Sequence, residues 1–488
     1  NGCRNEFVAN GTFFNSADFF PHVGYSKFGE LDDPNERRRR DLPPVQRFPK
    51  IDDVAARGNN YLSAEADWVN FATTVSTVPD QIAIAPGYLK REWTANGRRY
   101  FRYEMDSPIF HFFAYLSARY AVKRDKWNDV AIQIDYHPDH AYNVDRMIEA
   151  VKQSLDYFTT NFGPYQHRQV RIVEFPRYAT FAQSFPNTIP FSESIGFIAR
   201  VDDRPDAIDY VTYVTAHEVA HQWWAHQVMG GNVQGATLMS ETMSQYSALM
   251  VMEHMIGQDK MRRFLKYELD RYLQGRGGER VEELPSYLVE NQPYIHYRKG
   301  SLVMYALKDY VGEAPLNQAL AQYVKAVAFQ QPPYTYSIEF LDFVQRAVPE
   351  SRQAILDDLF RNITLYSNKA VSATWSKRED GKYVVRLSAD TSKFRADGKG
   401  RETPVPLDDW IDIGVFGEKE PKGSSEGRLL AMEKRHVDGS STTFEMVVDE
   451  EPRKAGIDPF NKLIDRDPDD NLVSVVPGNG PAVAAAER

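Results

Sequence analysis

Apolar residues recur at helical spacing between Tyr142 and Phe162, at Val144, Ile148, Val151, Leu155 and Phe158, and the run stops at Gly163-Pro164. That period predicts an amphipathic helix with one buried face, ended where glycine and proline break the repeat. Upstream the texture is different. Short runs at Val75–Val78, Ile82–Ile84, Tyr100–Tyr103 and Val130–Tyr136 read as strands, with Asn96-Gly97 a hairpin signal between Trp93 and Tyr100. The first forty-five residues, rich in Asn, Phe, Pro and Asp, read as strands and loops with a proline turn at Pro43-Pro44. Residues 1–137 are therefore expected to form a β-domain that begins partway through.

After the long helix the pattern predicts a strand at Gln169–Phe175, an irregular stretch, and a second strand in Ser194–Val201. Helical runs follow at Ala207–Ala216, Thr237–Ile256, Asp259–Leu273, Lys299–Val311, Leu316–Phe329 and Ile338–Ala347. Residues 138–365 thus read as a mainly helical unit with a small sheet. From about Ala370, short strands at Tyr383–Leu387, Trp410–Phe416, Arg428–Glu433 and Thr443–Val448 alternate with Asp-Gly turns. This predicts a β-sandwich over 366–474, followed by a tail or linker at 475–488. The fold class is multidomain α+β.

Composition narrows the function classes. A length of 488 residues suits about three domains, and 42% hydrophobic with 26% charged residues is ordinary globular usage. The net charge of −10 argues against a nucleic-acid binder. The one basic run, Arg37–Arg40, is neutralised by Asp32, Asp33, Glu36 and Asp41 and reads as a solvated turn. A single cysteine, Cys3, excludes an intrachain disulfide and offers no thiolate to a metal site. No apolar run approaches the 18 or so residues that would span a bilayer. The chain starts without an initiator methionine, so it is expected to be a fragment of something longer.

The stretch with chemistry in it is His217-Glu-Val-Ala-His221. Four residues apart on a helix, the two imidazoles project from one face and suit one zinc ion, while Glu218 is placed to act on metal-bound water. A third ligand is needed, and Glu241, on the second helix of the pair, is the candidate. The Gly230-Gly231-Asn232 turn lets that helix fold back. A charged face carrying two ordinary histidines is the bland alternative, weakened by the downstream glutamate. Two further segments belong with this set. Glu193, in Pro190-Phe191-Ser192-Glu193-Ser194, could hold a cationic substrate group beside the cleft, or be an exposed loop charge. Tyr297, in Tyr297-Arg298-Lys299-Gly300, could donate a hydrogen bond to an oxyanion, or be a packed aromatic at a helix start.

Taken together, these residues resemble the gluzincin aminopeptidases related to aminopeptidase N. Gln222-Trp223-Trp224 after the second histidine is similar to that family's pattern. The resemblance implies one zinc ion per chain on His217, His221 and Glu241, with Glu218 as general base. It further implies Glu193 on the substrate's α-amino group and Tyr297 on the transition state. The implied architecture is a saddle-like β-domain, a thermolysin-like catalytic domain and a β-sandwich; the implied partner is a peptide with a free N-terminus. Departures qualify it: nineteen residues separate His221 from Glu241 where the family usually has eighteen, an excess the Gly230–Gly235 loop is expected to absorb. Glu193 keeps the acid of the family's Gly-x-Met-Glu-Asn but not its neighbours, and the large helical C-terminal domain of many members is expected to be missing. These variants are similar to peptidase regions of bacterial membrane permease-like proteins, which implies a parent embedded in an inner membrane. Endopeptidase or epoxide-opening chemistry at the same site, and a non-catalytic zinc-containing peptide-binding module of a membrane complex, stay open as alternatives.

Overall fold

The computed structural model describes residues 7–19, 30–62, 67–202, 204, 207–420 and 423–478. Cys3 and the expected tail beyond 478 lie outside the described residues. The architecture is multidomain α+β, with a β-rich N-terminal part, a mainly helical centre and a C-terminal β unit.

At the centre is a four-stranded sheet in the order Thr188–Ser192, Gln169–Phe175, Val130–Tyr136, Ala121–Trp127. The first three strands are parallel and the last is antiparallel. Parallel neighbours need a crossover, and the Val144–Phe162 helix supplies it between the second and third strands in that order. Its apolar repeat does what the spacing demands: Met147, Ile148, Val151, Leu155 and Phe158 are all buried. The sheet reaches across residue 137, because the strands at 121–127 and 130–136 pair into it. Helices Tyr210–Ala220 and Met243–Ile256 pack against one another and against Val144–Phe162. Trp223, Trp224, Tyr246 and Tyr305 are wholly buried among them and weld the helical core.

The N-terminal part is built of small antiparallel sheets. Strands Tyr88–Ala95 and Arg98–Glu104 pair through Asn96 and Gly97, both at positive φ, the geometry that a tight two-residue hairpin needs. The C-terminal unit links eight strands edge to edge. They curl over one core containing Val385, Leu387, Ile411, Ile413, Phe444, Met446 and Ile457.

Two expectations are corrected. Residues Ser194–Val201 form no strand; the last strand of the sheet ends at Ser192, and a turn follows over 193–198. The reason is local hydrogen bonding. The Gly196 and Ile198 N–H groups donate back to the Ser192 and Glu193 carbonyls. From below, the buried Asn143 amide donates to the carbonyls of Gly196 at 2.7 Å and Ala199 at 2.8 Å. Likewise the early segment is not only strands and loops. A short helix at Pro34–Arg38 is capped by Asp33, whose carboxylate accepts from the N–H groups of Asn35 and Glu36, with proline in the favoured first turn.

Asn143→Ala should cost about 1–3 kcal/mol by stranding buried carbonyls. The measurement is the urea midpoint at unchanged slope, against the wild-type chain.

Candidate active site

His217 and His221 sit at the end of the Tyr210–Ala220 helix, whose N-terminus is capped by Asp209 accepting from the Thr212 N–H. Their Nε2 atoms lie 3.0 Å apart. Glu241 Oε2 is 3.4 Å from the His217 nitrogen and 3.3 Å from that of His221. All three donors thus face one point. Ligands held about 2.0–2.1 Å from a tetrahedral zinc ion stand about 3.3–3.4 Å from one another, so this donor set fits such an ion. Buried and without a hydrogen-bond partner among the described residues are Glu241 Oε2 and Glu218 Oε2, the atoms such a site would use.

The ring of His221 is held from behind. Its Nδ1 is 3.0 Å from the Trp224 carbonyl and 3.0 Å from Ser244 Oγ, and donation to the carbonyl leaves Nε2 with its lone pair toward the site. Glu241 itself lies in a π-helical turn, Leu238–Thr242, that precedes the Met243–Ile256 helix. A π turn carries an extra residue per turn and frequently marks functional sites; the apolar period gave no sign of it.

A second π turn, Tyr294–Lys299, carries Tyr297. Each residue of Tyr297-Arg298-Lys299-Gly300 has a local job. Arg298 pairs at 3.0 Å with Glu268, which is wholly buried, and Lys299 lies 3.6 Å from Glu283. Gly300 faces the Thr242 side chain so closely that a Cβ would collide with it. Thr242 Oγ1 in turn donates to the His296 carbonyl at 2.7 Å. The two π turns are thereby locked side by side, and the Tyr297 ring lies 5.8 Å from that of His217.

Electrostatics follow from this crowding. Burial alone would raise the Glu241 carboxyl, but the His221 and His217 imidazoles overcome it and hold Glu241 well below the usual carboxylate range. For His221, burial is opposed by the Glu241 carboxylate, which lifts the imidazole to about 9. His217 is lowered, chiefly by burial. Without a cation, then, one proton is retained between these groups, and a cation bound by the same donors would displace it. Glu218 is pushed up to about 7, mainly by burial. The Tyr297 phenol is driven well above its ordinary value by burial and then by Glu241, so it stays protonated.

These side chains open onto a recess of about 120 Å³, lined also by Tyr61, Leu62, Phe112, Ala182, Gln183, Ser184 and His226. Sequence reasoning singled out none of these. Tyr61 arrives because the N-terminal part docks on the glycine loop: Asn60 bridges Gly231, and the Asn232 N–H donates to Asn59 at 2.8 Å. Gly231 lets the two segments approach closely there, since a Cβ would stand only 3.2 Å from the Arg57 Cα. His226 lies two residues beyond Gln222-Trp223-Trp224, and its Nε2 is 2.9 Å from the Ser184 carbonyl.

Glu193 is not brought to this recess. It follows the end of strand Thr188–Ser192, where its N–H donates to the Phe175 carbonyl at 2.9 Å and its Oε1 accepts from the Arg177 N–H at 3.2 Å. These bonds hold it beside His140 and Glu174 instead, in a different cavity. The structure therefore brings together His217, Glu218, His221, Glu241 and Tyr297, and leaves Glu193 out.

Over residues 142–358 the chain matches the Peptidase family M1 domain. Among curated relatives, Tricorn protease-interacting factor F2 of Thermoplasma volcanium is 22% identical over 357 residues, covering 69% of this chain and 42% of that protein. Human endoplasmic reticulum aminopeptidase 2 is 23% identical over 209 residues, 41% of this chain and 22% of its own length. Of solved structures, aminopeptidase A of Legionella pneumophila, in complex with aspartic acid, shares the fold. Its TM-score is 0.54 at 17% identity, over 82% of this chain and 45% of that one. The chain spans less than half the length of these relatives. Two of the site's helices and both π turns fall inside the matched stretch, whereas Tyr61, Leu62 and Phe112 lie before it.

Arg298→Ala would leave Glu268 charged and unpaired in the interior. It should destabilise the chain by about 3–5 kcal/mol, measured by denaturant unfolding.

Proposed function

We propose that this chain is the catalytic portion of a zinc-dependent metallopeptidase of the aminopeptidase type. One observation carries the reading: the two histidine nitrogens and the Glu241 oxygen converge at 3.0, 3.4 and 3.3 Å, with the buried, unpartnered Oε2 of Glu218 alongside. Aminopeptidases stand among the proteins this chain is similar to, which supports peptide-bond hydrolysis from the N-terminus.

His217, His221 and Glu241 would hold the zinc. When bound, zinc supplies Lewis-acid polarisation of the scissile carbonyl and lowers the pKa of water beside it. Glu218, with a carboxyl lifted to about 7, takes the proton of the attacking water and returns it to the departing amine. The Tyr297 hydroxyl, kept protonated by its surroundings, donates a hydrogen bond to the oxygen of the tetrahedral centre. Phe112, Leu62 and Ala182 give the recess apolar surface beside these groups.

A second reading, cleavage at internal bonds, is favoured by the position of Glu193. The carboxylate expected to read a free α-amino group does not line the recess, and among the described residues the two carboxylates that do, Glu218 and Glu241, already have roles. Aminoacyl amides with free and with acetylated N-termini separate the readings. Hydrolysis confined to free-amine substrates supports the aminopeptidase, while equal hydrolysis of both supports internal cleavage.

Glu218→Gln should keep one zinc at the recess by metal analysis and lose about 10²–10⁴-fold in kcat; near-normal turnover would remove it as the base. Tyr297→Phe should lower kcat by about 10²–10³-fold with a smaller change in KM. A chelator should abolish turnover and added zinc restore it, read on the same amides.

A further inference from the structure

The sheet at the centre of the chain has three adjacent parallel strands, and their C-terminal ends carry a second set of metal-ligating side chains. His140 follows the strand Val130–Tyr136 by four residues, Glu174 is the penultimate residue of Gln169–Phe175, and Glu193 comes directly after Thr188–Ser192. One nitrogen or oxygen from each lies within 4.8 Å of the others. His140 Nδ1 contacts Glu174 Oε1 and stands 3.8 Å from Glu193 Oε2. In open parallel sheets, the carboxyl ends of the strands are where ligands bind. No residue is shared with the recess around His217.

We propose that His140, Glu174 and Glu193 form a second divalent-cation site that ties these three strand ends together. Charge is the first argument. Two carboxylates face one imidazole, and among the described residues no lysine or arginine side chain pairs with either acid. Glu174 is 4% exposed, so its charge has little water to rely on. The second argument is space: a cavity of about 40 Å³ opens beside Glu174 and Glu193, lined also by Asn10, Gly11, His137 and Arg119, whose guanidinium pairs with Asp80 instead. That is room for an ion with a water completing its shell.

The remaining bonds fix the ligands without using up the oxygens that would face an ion. Glu174 Oε2 accepts from the His137 N–H at 2.6 Å, and Glu193 Oε1 from the Arg177 N–H at 3.2 Å. Glu174 Oε1 and Glu193 Oε2 are left toward His140. One imidazole with two carboxylates is a mixed nitrogen and oxygen set, which suits zinc or manganese better than calcium. Asn10 and Gly11 on the wall would couple the ion to the N-terminal part as well as to the sheet.

The test is zinc stoichiometry by elemental mass spectrometry on the full chain, loaded with zinc and dialysed. Two equivalents are expected for the wild type, and one for His217→Ala/His221→Ala, which removes only the recess site. Adding His140→Ala to that double variant should bring the count to zero, and so should adding Glu193→Gln, a near-isosteric change that leaves the fold intact if His140→Ala does not. In the double variant, zinc should still raise the Tm, and either added change should abolish the rise. One equivalent in the wild type and none in the double variant would overturn the proposal. So would a second equivalent that survives both His140→Ala and Glu193→Gln.

Discussion

A carboxylate held between two imidazoles inside a protein is an arrangement that only a shared cation makes inexpensive. Glu241 sets its Oε2 3.4 Å from His217 and 3.3 Å from His221, and the rest of the site is organised to keep it there. Desolvation would neutralise the acid if it were alone, yet the paired imidazoles hold it charged and its charge lifts His221 to about 9. The same few ångströms set the character of the neighbours. Tyr297 is kept protonated partly because Glu241 is negative, and Glu218 is lifted because it is buried next to that charge.

Holding such a cluster requires rigid backing. The His221 ring is fixed by the Trp224 carbonyl and Ser244. Ala225, just beyond, takes a φ of +149° that L residues seldom adopt, in the segment that swings His226 into the recess wall. On the other side, Gly300 permits the two π turns to touch through Thr242, and the Arg298–Glu268 pair anchors the turn that bears Tyr297. Backbone irregularity therefore concentrates where side chains must be aimed, and regular helices supply the support.

Much of this was legible in the sequence, for physical reasons. The long helix at Tyr142–Phe162 declared itself because one face is uniformly apolar, and the Asn-Gly hairpin because few residues tolerate its φ values. The histidine pair was legible because helical spacing alone puts i and i+4 on one face. What escaped depended on contacts distant in the chain. Neither π turn leaves a period to read. Tyr61 reaches the recess only through the docking of Asn59 and Asn60 on the Gly230-Gly231-Asn232 loop. Ser194–Val201 looks like a strand by composition, yet Asn143, some fifty residues earlier, supplies the hydrogen bonds that a neighbouring strand would have given.

Glu193 shows why a motif acid cannot be placed by spacing alone. Twenty-four residues before His217, it could have fallen on either side of the sheet's last strand, depending on where that strand ends. The strand stops at Ser192, and the Glu193 N–H bonds the Phe175 carbonyl of the adjacent strand. That one backbone bond turns the side chain over the strand ends toward His140 and Glu174. The segment facing the recess is instead Ala182–Ser184, whose Gln183 N–H bonds the Pro190 carbonyl. The neutral side chains of Gln183 and Ser184 thus stand on the recess wall while the acid stands behind it. This exchange of a charged group for neutral ones changes the demand on a substrate: hydrogen bonding can orient a peptide there, but an unpaired ammonium would gain no countercharge from that wall.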